Sequence, residues 1–149
     1  MDIKEQLYNE CKENLENRLQ VIQNNILDIE TALQSETKSS AGDKHETGRA
    51  MLQLEREKLG QRLAEIQKLQ DLLQKTDYKA THTKVALGSI VFTSNLNYYI
   101  AISTGELKIN ETCFYAISPA TPIAQVLLGK EEGDVVSFRN STFTVLKVM

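Results

Sequence analysis

Near the start of the chain Leu7, Cys11, Leu15, Leu19, Ile22, Ile26, Ile29 and Leu33 recur at spacings of three and four, with Glu, Lys, Asn and Gln filling most positions between them. That period gathers the apolar side chains on one narrow stripe of an α-helix. Farther on, Leu52, Leu59, Ile66 and Leu73 repeat every seven residues, with Leu63 and Leu69 beside them. A seven-residue repeat is the seam of a helix that packs on a partner helix, not the broad face of one that covers a core. Two narrow seams of similar length are separated by "SSAGDKHETGRAM" at residues 39 to 51, and they satisfy each other most economically by folding back. The expectation is an antiparallel coiled-coil hairpin over residues 1–76 with its tip at 39–50. Each arm has about 33 residues, or about 50 Å of helix. Two continuous helices pairing as a dimer is the competing arrangement. The Ser-Ser-Ala-Gly break speaks against it, so a monomer is expected.

Composition changes abruptly near residue 77. Residues 1–76 carry 11 Lys and Arg against 14 Asp and Glu, whereas residues 77–149 carry 6 against 6. Aromatic residues shift the other way: Tyr8 stands alone in the first part, and eight others with both prolines lie in the second. Two architectures are therefore expected. The segments "VALGSIVFT", "YYIAIS", "ETCFYAIS", "VVSFR" and "TFTVLKV" are short, rich in β-branched and aromatic residues, and separated by turn residues, including a tight Asn140-Ser141 connection. One short helix interrupts them in "TPIAQVLLG", where Thr121 is suited to the N-cap, Pro122 to the first turn and Gly129 to a left-handed end. The fold class is α+β: a helical hairpin followed, over residues 77–149, by a small antiparallel β domain with one short helix. The aromatic residues at 98, 99, 114 and 115 are expected in the sheet core rather than on a base-stacking platform.

The net charge of −3 argues against a protein that works by binding bare nucleic acid, because such binding needs a concentrated basic face to displace counterions. Cys11 and Cys113 lie far apart with no metal-ligand spacing, so buried free thiols are expected and neither a disulfide framework nor a zinc site is implied. The first residues lack an apolar signal core, and no run reaches the length of a membrane span; a cytoplasmic protein without a membrane partner is expected.

At the expected tip, Asp43 and Glu46 stand three apart and admit two readings. As a capping box, Asp43 accepts from the free N–H groups of the second helix while Glu46 reaches back, and the motif alone favours this. Alternatively, three-residue spacing puts both carboxylates on one helical face, where they offer one or two inner-sphere ligands to a hard divalent cation such as Mg2+. Two ligands do not make a stable site in the free protein, so a second protein must complete it.

The tip resembles that of the bacterial Gre-type transcript cleavage factors, whose hairpin ends in a Gly-Asp-x-x-Glu pattern matched here by Gly42, Asp43 and Glu46. The run "TPIAQVLLGKEEGDVVSF" resembles a second segment of that family, matched at Pro122, Ile123, Ala124, Gly129, Lys130, Glu131, Gly133 and Asp134. After the tip Glu the chain departs, with Thr47, Gly48, Arg49 and Ala50 where the family carries Asn, Ala, an acid and an aromatic.

The resemblance implies an FKBP-like C-terminal domain that docks on bacterial RNA polymerase beside its secondary channel. Thr121 and Pro122 match the polymerase-facing loop. It further implies that Asp43 and Glu46 act as the catalytic and metal-holding pair, sharing Mg2+ with the polymerase active site and meeting the nascent RNA 3′ end only through the polymerase. The chain would then be an accessory factor for the polymerase's own transcript cleavage rather than an enzyme. Two alternatives stand beside this: a secondary-channel regulator that does not stimulate cleavage, and a coiled-coil adaptor for an unrelated partner. Prolyl isomerase activity lacks an aromatic pocket signature, and fold analogy alone does not support it. Lys44, His45 and Arg49 are candidate contacts to RNA phosphate or the polymerase, although charges at a helix end commonly form a solvated face. His82 is read as a linker residue.

Overall fold

The computed structural model describes residues 2–38 and 42–149, with residues 37, 38 and 42–45 described by their backbone alone. Two long helices open the chain: α1 spans Ile3–Lys38 and α2 spans Gly42–Gln74. Six strands follow, β1 (Ile90–Thr93), β2 (Tyr98–Ile100), β3 (Gly105–Ile109), β4 (Thr112–Ile117), β5 (Val135–Phe138) and β6 (Ser141–Val148). The short helix α3, Pro122–Leu127, lies between β4 and β5. Among the described residues no helix is long and apolar enough to cross a membrane. The chain divides into two compact units, Leu15–Gln70 and the combination of Met1–Asn14 with Asp71–Met149.

Leu15–Gln70 is a two-helix unit held by the stripes read from the sequence. Ile26, Ile29 and Leu59 are buried together, flanked by Ile22, Leu33, Leu52 and Leu63. Glu30 pairs with Arg56, and Glu36 lies against Gly48, so partners on α2 come earlier in sequence as those on α1 come later. The helices are therefore antiparallel, and the hairpin is intramolecular. The Arg56–Glu30 pair is 3.3 Å long with both side chains substantially exposed, so it helps set register more than it adds stability. Burial of each aliphatic seam residue contributes about 1.5–3 kcal/mol, and the seam dominates.

In the second unit the strand order is β3-β4-β2-β1-β6-β5. Neighbours are antiparallel except β2 and β4, which pair in parallel, Tyr98 with Tyr115 through Ile100 with Ile117. That exception in an otherwise antiparallel sheet has a simple cause. β3 was absent from the sequence reading; it pairs only with the outer side of β4, so β4 re-enters beside β2 in the same direction. One sheet face buries Val91, Tyr98, Ile100, Val136, Phe143 and Val145 with Ala124 and Leu127 of α3. Pleating turns Tyr99 to the other side, where burial among Cys11 and Tyr8 of α1 pushes its hydroxyl far above its usual range. Tyr8 also meets Tyr78, ring centroids 4.9 Å apart. Coverage on both faces explains why every residue of β2 is buried.

Of the two thiols, Cys11 is fully buried, its pKa pushed up to about 11 chiefly by desolvation, with its sulfur 4.0 Å from the Thr104 hydroxyl. Cys113, on β4 opposite Lys108 of β3, is only half-buried. Both are free.

Candidate functional site

The sequence-predicted residues fall into two groups, one in each unit. Asp43, Lys44, Glu46 and Arg49 belong to Leu15–Gln70, and Thr121 and Pro122 to the sheet unit.

The first group sits at the start of α2. α2 is described from Gly42 onward, so Asp43 lies in its first described turn; whether Asp43 caps the helix lies outside the described residues. The side chains of Asp43, Lys44 and His45 lie outside the described residues, and helical spacing alone sets Asp43 and Glu46 on one face. Glu46 and Thr47 are exposed; Gly48 and Arg49 are half-buried, and Thr47 and Arg49 each make an interaction. Glu36, from the last turns of α1, brings its carboxylate against Gly48: a Cβ there would stand 3.5 Å from Glu36 Oε1. Among the described residues no group of three or more His, Cys, Asp or Glu is arranged to hold a metal ion. Glu46 is open to solvent, and a carboxylate is the kind of donor taken by an oxygen-seeking cation that keeps most of its water.

The second group is a rigid turn. Thr121, with φ −70° and ψ 150°, is the N-cap of α3; its hydroxyl donates to Ser118 O at 2.8 Å and accepts from Ala124 N at 3.3 Å. Pro122 follows in the first turn, where its missing N–H leaves nothing unsatisfied, and it is exposed. Gln125 Nε2 donates to Pro119 O at 2.6 Å, and Ser118 N donates to Ser103 Oγ at 3.0 Å, tying the loop to the segment after β2. Ala124 and Leu127 anchor the helix in the core. The loop thus presents Pro122 on a framework that leaves its backbone little freedom.

Residues 129–134 of the second matched segment also have local structural roles. Gly129 has φ +82° and donates to Val85 O at 2.8 Å, ending the helical segment in the left-handed conformation expected of it. Asp134 Oδ2 accepts from Glu131 N at 2.8 Å, and Gly133 has φ +93°, so this pair builds a tight turn into β5.

One cluster escaped the sequence reading. Lys4 is 3% exposed, donating to Ala80 O at 2.7 Å and meeting His82 Nδ1 at 3.2 Å. His82 is therefore more than a linker residue: it holds the buried lysine. The available signal was that Lys4 precedes Leu7 by one helical step of three, so a charge occupies the next place on an apolar stripe.

No protein-family model and no curated protein matches the chain. Among solved structures it is similar to that of the transcription factor Gfh1, at 21% identity and a TM-score of 0.37, over 91% of each chain. The likeness is distant.

Proposed function

We propose that the protein is an accessory factor of bacterial RNA polymerase that enters the secondary channel and stimulates the polymerase's own cleavage of backtracked RNA. The observation that carries this reading is that Asp43 and Glu46 stand one helical step apart on α2, a long paired helix, with Glu46 exposed. The resemblance of "GDKHE" and "TPIAQVLLGKEEGD" to two separate segments of the Gre-type factors supports it.

In this reading the Pro122 loop is the docking element. Its value lies in pre-organisation, since Thr121 and Gln125 already fix the backbone that a partner would otherwise have to order. Asp43 and Glu46 bring negative charge to a polymerase site that already holds one magnesium ion. A second magnesium bound there would help generate a hydroxide nucleophile and stabilise the leaving oxygen of phosphodiester hydrolysis. The chain's own contribution is to hold two carboxylates one helical step apart, with Glu46 solvated until the complex forms. It contributes an incomplete site that acts only inside its partner.

The test is to add the protein with magnesium to a bacterial elongation complex stalled in a backtracked position. Short fragments should leave the RNA 3′ end, and extension should resume. Occupancy of the polymerase without faster cleavage would instead identify a non-cleaving regulator. Absence of any association would leave the coiled-coil adaptor.

A further inference from the structure

We propose that the free edge of β5 is a self-association site, at which a second copy of this chain adds its own β5 in antiparallel register about Val136.

The two edges of the sheet are not alike. The order β3-β4-β2-β1-β6-β5 leaves β3 and β5 outermost among the described residues. β3 exposes Glu106 and Lys108, and charges along an edge oppose pairing with another chain. β5 reads "VVSF", with neither charge nor proline, and its Val135 is 64% exposed. An edge of that kind is a template for another strand.

The hydrogen bonds of β6 fix which backbone groups of β5 face outward. Val145 is turned toward the β5 side, its N–H donating to Asp134 O at 2.8 Å and its carbonyl accepting from Gly133 N at 2.8 Å. Thr144 is turned the other way, its N–H donating to Ser94 Oγ at 2.9 Å and its carbonyl accepting from Ser94 N at 3.0 Å. Antiparallel strands alternate in this manner, so Phe143 and Ser141 also bond toward β5, where they stand opposite Val136 and Phe138. Val135 and Ser137 therefore turn their N–H and C=O groups to the free edge. Both residues are exposed.

A second β5 matches that pattern. With Val136 on a two-fold axis, Val135 stands opposite the partner's Ser137, and Ser137 opposite the partner's Val135. Each pair exchanges N–H···O=C bonds in both directions, which uses every outward group of the strand. Continued past the strand, the register sets Arg139 opposite the partner's Gly133, beside the partner's Glu132 and the partner's Asp134. Arg139 and Glu132 are exposed, and the Arg139 guanidinium stands over the Phe138 ring, 5.0 Å from its centroid. Each strand thus has an acidic approach and a basic exit, and antiparallel pairing sets one against the other. The interface is small, so the association is weak and reversible. It lies wholly in the sheet unit and leaves the helical hairpin intramolecular.

The experiment is sedimentation equilibrium of the full-length protein from about 10 µM to about 1 mM, the range in which a small interface associates, at low and at high salt. Residue-resolved amide exchange is measured at both ends of that range. Mass should rise from monomer toward dimer with concentration, and less steeply at high salt. The amides of Val135 and Ser137 should exchange several-fold more slowly in the concentrated sample, while those along β3 should not change. Ser137→Pro removes an outward N–H and should weaken association about 10-fold or more. Arg139→Glu should weaken it several-fold, and Arg139→Glu combined with Glu132→Arg should restore it. Urea midpoints establish that each variant is folded; if Ser137→Pro is not, the charge pair and the wild-type exchange decide. A monomer throughout the range would overturn the proposal. So would a dimer indifferent to Ser137→Pro and Arg139→Glu, or one in which exchange at Val135 and Ser137 does not depend on concentration.

Discussion

Lys4 and His82 show how a single pair makes stability depend on pH. Burial is the main reason the Lys4 ammonium is held below its usual range, with Asp2 and Asp77 opposing the shift. Burial likewise depresses His82, helped by the Lys4 charge and opposed by its hydrogen bond to the Met149 backbone and by Asp77. Both bases thus hold protons less tightly folded than unfolded, and stability rises with pH wherever the unfolded chain binds more protons. For His82 the contribution is complete above its ordinary value of 6.5 and is lost as pH falls through the lower folded value. Urea midpoints measured from pH 8 down to pH 5 should fall, and His82→Gln should flatten the part of that slope below 6.5. An unchanged slope in the variant would place the proton uptake elsewhere. The sequence pointed toward this pair only through the stripe position of Lys4, because the two residues are 78 apart in the chain.

At the scale of elements, what was legible followed from periodicity. Of the stripe residues on α1 and α2, Leu7, Cys11, Leu15, Ile26, Ile29, Leu59, Ile66 and Leu73 are buried, and Leu19, Ile22, Leu33, Leu52, Leu63 and Leu69 are half-buried. A contrast on one helix tests this. Leu59→Ala should cost about 2–5 kcal/mol, whereas Leu54→Ala, at 53% exposure, should stay within about 0.5 kcal/mol in chemical denaturation. Equal losses would mean that the seam is misassigned. The strand β3 was not legible because "GELKI" has a single β-branched residue and no aromatic, unlike the other strand segments. As an edge strand paired only to β4 it leaves Gly105, Glu106 and Lys108 exposed, so burial imposes no run of β-branched residues on it. Helix α3 was legible in every detail because its signals are local: Thr121 caps, Pro122 opens and Gly129 closes.

For the whole molecule, the sequence exposed the candidate site more readily than its surroundings. Asp43 and Glu46 stand out as a motif within four residues. Glu36 and Gly48 come near each other only across two helices, and Glu36 reads alone as one more charge on a polar arm. The segment from Gly129 to Asp134 resembles a functional signature, yet its glycines and Asp134 build a turn, so its match speaks first for the fold. The central claim is that the chain carries two carboxylates for use inside a polymerase. Its most direct test is the cleavage rate of a backtracked complex at saturating factor, with wild type compared to Asp43→Asn and Glu46→Gln. Each variant keeps side-chain shape and removes one charge. The account predicts a rate lower by about 10-fold or more, about 1.4 kcal/mol on the barrier, with polymerase occupancy unchanged. Equal rates for wild type and both variants would contradict it and leave the two acids as stabilisers of a helix end.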